Sequence, residues 1–137
     1  MKKGRVFSDG GARGNPGPAA IGVLICGGQG EVLREYQETI GEATNNIAEY
    51  RAVLRGLELA RELGLEEIEY FVDSELVARQ LSGEYRVKSA HLKDLFLRVK
   101  EREQKFNKVV YRQIPRTHEK IRWVDRLVNQ ALNLAGA

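Results

Sequence analysis

The stretch FSDGGARGNPGPAAIG, residues 7–22, decides how the rest of the chain is read. Val6 and Phe7 form a short apolar strand leading into Asp9, and Gly10 to Pro18 carries four glycines and two prolines, the composition of a loop. An apolar run from Ala19 to Cys26 follows and stops at Gly27-Gly28. From Glu31 to Ile40 polar and apolar residues alternate, with Val32, Leu33, Tyr36 and Ile40 as the apolar set. Strands on either side of a glycine-rich turn predict a hairpin, so the chain opens as an antiparallel meander.

The period then changes. Ile47, Tyr50, Val53, Leu54, Leu57 and Ala60 recur at helical spacing from Asn46 onward, and Gly64 supplies the stop. Glu67 to Val72 reads as a buried strand and Ser74 to Leu81 as a short helix. After a basic linker, Glu84 to Ala90, a helix spans His91 to Glu103 with Leu92, Leu95, Phe96 and Val99 inward. Val109 to Ile114 is a last strand closed by Pro115, and an amphipathic helix runs from about Arg122 to Leu134. The order βββαβα-αβα predicts an α/β fold, its mixed sheet antiparallel first and parallel later.

With 137 residues, 42% of them apolar, residues 1–137 are expected to be a single domain. The formal charge of +3 permits a polyanionic partner without demanding one. Cys26 is the only cysteine and cannot form an internal disulfide; within its apolar run it is expected to be a buried, inert thiol. MKKGRVFSDGG lacks the form of a signal peptide, and no apolar stretch approaches the roughly 20 residues that span a bilayer. A cytoplasmic protein without membrane attachment is expected.

Four acidic residues stand in short motifs of their own: Asp9, then Glu49 in TNNIAEYRA, Asp73 in FVDSELV and Asp125 in WVDRLVNQAL. Taken singly, each has an ordinary structural explanation. Asp9-Gly10 is a turn dipeptide. Asn46 to Glu49 has capping-box spacing. Asp73 suits the N-cap of the helix after it. Asp125 can pair with Arg122 on its own helix.

Their joint placement changes the balance. Asp9 and Asp73 both close apolar strands that the βαβ order makes parallel neighbours, and ligands in such sheets bind beyond the carboxyl ends of the strands. Glu49 and Asp125, in the early turns of two helices, can overhang that crevice. Carboxylates about 4 Å apart repel by on the order of 4 kcal/mol per pair at an effective dielectric near 20. Protons or cations must compensate, and an all-oxygen donor set suits Mg²⁺ or Mn²⁺ rather than zinc.

The strings SDGGARGNPGPAAIG, TNNIAEYRA, VDSELVARQL and VDRLVNQAL, in this order and spacing, resemble type 1 ribonuclease H across essentially the whole chain. GEYRVKSAHLKDL, in place of a longer basic protrusion, resembles the compact, archaeal-like branch. The resemblance implies the RNase H-like fold: a five-stranded mixed sheet, three strands antiparallel and two parallel, flanked by helices. It implies an endoribonuclease that cuts the RNA strand of RNA/DNA hybrids and leaves 5′-phosphate and 3′-hydroxyl ends. Two Mg²⁺ ions, or Mn²⁺ as substitute, are the implied cofactors. Asp9 would bridge both ions, Asp125 would share the one that activates water, and Glu49 with Asp73 would hold the one at the leaving oxygen.

Substrate contacts follow from the same resemblance. Asn15, Asn45 and Asn46 fall at positions that read the minor groove, where 2′-hydroxyls mark RNA, and Ser74 completes an Asp-Ser pair. Arg86, Lys88 and Lys93 are candidates for phosphate contacts. The final motif departs from the family pattern. Pro115 stands ten residues before Asp125, where the family carries His or Arg, and Ile121 stands four before it, where the family carries Asn. Arg116 and His118 are the neighbouring candidates for a phosphate contact or product release. A monomer is expected. Two other readings stay open: a nuclease of this fold acting on double-stranded RNA, and a non-catalytic nucleic-acid-binding module.

Overall fold

The architecture follows from which face of each strand is apolar. In the computed structural model, which describes residues 2–137, the elements are β1 (Lys3–Ala12), β2 (Gly17–Gly27), β3 (Val32–Ala43), α1 (Asn45–Glu62), β4 (Glu67–Val72), α2 (Glu75–Leu81), α3 (Ala90–Glu103), β5 (Lys108–Gln113) and α4 (Glu119–Leu134). The sheet order is β3-β2-β1-β4-β5. β1–β2 and β2–β3 are antiparallel, and β1–β4 and β4–β5 are parallel. This is the mixed sheet, antiparallel first and parallel later, that the element order predicts, with the five strands that the resemblance implies.

Alternation along β1 and β4 separates two cores. Val6, Ile68, Tyr70 and Val72 join Tyr50, Val53 and Leu57 of α1 and Val99 of α3 in the larger one. Phe7, Leu24 and Cys26 face the other way and pack under Ile121, Val124 and Leu127 of α4. Cys26 is buried, as expected from its apolar run. No helix among the described residues is long and apolar enough to cross a membrane.

Several boundaries differ from the sequence reading, each for a local reason. Residues 10–18 are not one loop: β1 runs on to Ala12 and β2 starts at Gly17, because pairing with β2 continues to Ala12↔Ala19. Asp9 therefore lies inside a strand rather than at its end. The cap of α1 is Thr44, whose hydroxyl accepts the Ile47 amide at 3.2 Å. Ser74, not Asp73, caps α2, its Oγ accepting the Val77 amide at 3.2 Å. α4 begins at Glu119, capped by His118, about three residues earlier than its apolar pattern suggests.

Close backbone approach fixes α1 and α4 on the sheet. A Cβ on Gly10 would lie 2.2 Å from the Ala48 carbonyl oxygen, and one on Gly22 would lie 2.5 Å from that of Val124. Only glycine lets the start of α1 and the middle of α4 come this near to β1 and β2. The helices bearing Glu49 and Asp125 are thereby held at one end of the sheet.

Candidate active site

Register brings the first two carboxylates together. Phe7 and Phe71 are partners across β1 and β4, their rings stacked at 4.8 Å. Two residues further along stand Asp9, still within β1, and Asp73, the residue just past the end of β4. Glu49 comes from the second turn of α1. It is the fifth residue after the Thr44 cap, too far along to close a capping box, and its Oε1 accepts the Gly10 amide at 2.9 Å. Oxygens of Asp9, Glu49 and Asp73 lie within 4.8 Å of one another.

Asp125 projects from α4 into the same cavity, of about 560 Å³, which Asp9, Glu49, Asp73, Asn45, Asn46, Ser74 and Arg116 also line. Its carboxylate lies outside the tight group of three. The ion pair with Arg122 is not formed. The partner is Asn129, whose Nδ2 lies 3.0 Å from the Asp125 carbonyl and 3.5 Å from its Oδ2.

The cluster is electrostatically strained without a cation. Burial, together with the charges of Asp73 and Asp125, pushes the Asp9 carboxyl up to about 6. Burial first, then the facing Asp9, holds Glu49 well above the usual carboxylate range. Glu49 Oε2 is buried and has no hydrogen-bond partner. Two facing carboxylates have no donor between them, so a shared proton or a cation is what can join them. An all-oxygen donor set with one orphaned buried oxygen fits a hard divalent cation.

The other residues singled out in the sequence fall into four groups. Asn15 and Asn45 clamp the β1–β2 turn to α1: Asn15 Oδ1 accepts the Asn45 amide at 3.0 Å, and Asn45 Oδ1 accepts the Ala12 amide at 2.9 Å. Arg116 extends its exposed side chain over the site, its Nε 3.1 Å from Asp73 Oδ2. His118 is not among the cavity-lining residues; its Nδ1 accepts the Lys120 amide at 3.1 Å as the cap of α4. Arg86 and Lys88 line a separate groove of about 520 Å³ with Leu76, Tyr85 and Leu92, and Lys93 is not among its lining residues.

Four features escaped the sequence reading. The Gly10 amide that anchors Glu49 has no side-chain signature. Arg13 lines the cavity although it lies in a quoted motif, and Asn129 follows Asp125 at the i+4 spacing that makes helix neighbours. Tyr85 was readable as an aromatic beside Arg86 and Lys88. A further depression, of about 260 Å³, lies at the opposite end of the sheet among Lys3, Arg5, Glu69 and Arg112. There Arg5 and Arg112 both engage Glu69, and no carboxylate group comparable to the first gathers.

Comparison with known proteins places these residues in context. The model of the family described as "Reverse transcriptase-like" matches residues 7–131. The chain is 40% identical over 131 residues to the bifunctional protein Rv2228c of Mycobacterium tuberculosis, covering 95% of this chain but 35% of that protein. It thus spans about a third of the length of its mycobacterial relatives. It is 41% identical to ribonuclease HI of Halobacterium salinarum, covering 95% of this chain and 65% of the relative. Among solved structures, LC11-RNase H1 in complex with an RNA/DNA hybrid superposes with a TM-score of 0.91 at 41% identity, covering 98% of this chain and 99% of that one.

Proposed function

This chain belongs to the type 1 ribonuclease H family, and on that premise we propose that it is a metal-dependent endonuclease hydrolysing the RNA strand of RNA/DNA hybrids. One observation carries the reading: β1, α1 and β4 deliver three carboxylates within 4.8 Å, and a buried oxygen of Glu49 is left without a partner. Residues 1–137 would work as one catalytic domain.

Asp9, Glu49, Asp73 and Asp125 would hold two divalent cations, Mg²⁺ with Mn²⁺ as substitute. Bound there, the cations supply positive charge for the scissile phosphate and lower the pKa of the attacking water. Asp9, which interacts with Glu49, Asp73 and Asp125, would serve both ions. The Gly10 amide holds Glu49 in position, so the site is organised before substrate arrives.

The polar rim suits a duplex bearing 2′-hydroxyls. Asn45 and Asn46 line the cavity, Asn15 braces Asn45, and Ser74 stands beside Asp73. With their oxygens engaged by backbone amides, Asn15 and Asn45 keep their NH₂ groups for acceptors in the minor groove. Arg116 offers an exposed cation to phosphate. The groove with Tyr85, Arg86 and Lys88 combines an aromatic ring with basic side chains, a surface suited to a nucleic-acid strand. A single buried thiol, with no disulfide to maintain, fits a reducing cytoplasm.

The test is cleavage of an end-labelled RNA/DNA hybrid with Mg²⁺, with Mn²⁺ and with EDTA, beside double-stranded RNA of the same sequence. Metal-dependent cutting confined to the RNA of the hybrid is expected. An intact hybrid with either metal would sink the proposal, and faster cutting of double-stranded RNA would reassign the substrate.

A further inference from the structure

Three of the carboxylates are fixed by strand register, burial or a backbone amide. Asp125 is different, because it sits exposed on α4. One turn later, Asn129 occupies the same helix face, and its Nδ2 reaches both the Asp125 carbonyl at 3.0 Å and Oδ2 at 3.5 Å. On its other side, Asn129 Oδ1 accepts from Arg13 Nη2 at 3.3 Å. Arg13 comes from the turn between β1 and β2, so the contact spans 116 residues.

The chemistry of the partners fixes the direction of this chain. A guanidinium only donates, while a carboxylate and a carbonyl only accept. An amide between them satisfies both sides in one orientation alone, with oxygen toward Arg13 and nitrogen toward Asp125. A flipped amide would face donor with donor and acceptor with acceptor. Arg13 therefore locks the Asn129 amide, and the amide restrains the Asp125 carboxylate on the cavity side of α4. All three residues line the cavity that holds Asp9, Glu49 and Asp73.

We propose that Asn129, anchored by Arg13, is the positioning residue that aims Asp125 at the metal centre, so that the ion shared by Asp9 and Asp125 depends on it. The inference rests on the metal-site reading above and adds a residue to it. Asn129 orients a ligand; it need not touch substrate. A hydrogen-bonded partner behind a metal ligand is worth roughly 10- to 100-fold in metal affinity or activity.

The test is calorimetric titration of the nucleic-acid-free protein with Mn²⁺, for the wild type, Asn129→Ala and Arg13→Ala, with melting temperature as the control on folding. The Mg²⁺ concentration for half-maximal hybrid cleavage is measured alongside. In Asn129→Ala the weaker Mn²⁺ event is expected to loosen about tenfold with the tighter one retained, and cleavage to recover at high Mg²⁺. In Arg13→Ala the same event should loosen less, since the amide remains but loses its lock. Omitting nucleic acid from the titration separates this role from any contact of Arg13 with substrate. Both Mn²⁺ events within twofold of wild type in the two variants would overturn the inference while leaving the nuclease reading standing. So would activity lost equally at every Mg²⁺ concentration. A wild type that neither binds Mn²⁺ nor cuts the hybrid would overturn the metal-site reading, and this inference with it.

Discussion

Glu49 Oε1 accepts the Gly10 amide at 2.9 Å, joining the second turn of α1 to the C-terminal part of β1. The bond holds one oxygen of Glu49 and leaves the other, Oε2, buried and unpartnered among acids. It forms only because Gly10 has no Cβ to strike the Ala48 carbonyl. The same contact thus sets the packing of α1 and the geometry of the carboxylate cluster.

Gly10→Ala should consequently disturb fold and site together. Its methyl would meet backbone at 2.2 Å, and backbone cannot step aside as a side-chain tip can. A loss of about 3 kcal/mol in urea unfolding is expected, at the upper end of overpacking costs. A loss below about 1 kcal/mol would show that α1 slides freely on β1.

Asp9→Asn should do the opposite to stability. Removing one charge from the buried cluster relieves Glu49 and Asp73, so the metal-free protein at pH 7.5 is expected to gain about 1–3 kcal/mol. Hybrid cleavage should fall to background in the same variant. A variant that is both less stable and still active would remove Asp9 from the cluster's centre.

The pH dependence carries a definite sign. The Asp9 carboxyl has its ordinary value near 3.8 in an unfolded chain and is pushed up to about 6 by burial in the folded one, and burial holds Glu49 well above its usual range. Between those values the folded protein holds protons that the unfolded chain has released. Stability of the metal-free protein should fall as pH rises from about 4 through 6, by up to about 3 kcal/mol for Asp9 alone. Melting temperatures in EDTA should show this slope, and saturating Mg²⁺ should flatten it. The double variant Asp9→Asn/Glu49→Gln isolates the effect from other carboxylates, such as Glu69, which Arg112 and Arg5 hold below the usual range.

Arg116 and His118 should separate cleanly. Arg116 pairs with Asp73 through a side chain that is 80% exposed, so Arg116→Ala should change stability by less than about 0.5 kcal/mol. Removing a cation that competes for Asp73 should tighten Mn²⁺ binding modestly, read by calorimetry. His118 caps α4, so His118→Ala should cost about 1 kcal/mol, with turnover per folded molecule unchanged. A His118 variant that folds normally but turns over slowly would return the histidine to the chemistry.

Much of the fold was legible because the chain repeats one message at several levels. Alternation in Glu31–Ile40, helical spacing from Ile47 to Ala60 and the apolar run at Glu67–Val72 each match their element. The edges were less legible. Glycines at residues 10 and 11 read as a loop, yet strand pairing claims both, and at Gly10 the close approach of α1, not a turn, is what requires a small residue. The caps moved for a related reason: Thr44, Ser74 and His118 each offer an acceptor at the helix start, and sequence spacing alone did not choose among neighbouring candidates.

By itself, the sequence determined the order of elements, the mixed sheet and the identity of the acidic residues, since periodicity and motif strings are local properties. Only the tertiary structure decided how those acids meet. Stacked Phe7 and Phe71 set the register that places Asp9 beside Asp73, and the Gly10 amide pulls in Glu49. Arg13, 112 residues before Asp125, restrains that last carboxylate through Asn129. Distances between groups so far apart along the chain are fixed by packing and by donor–acceptor matching, and neither is written in any one segment.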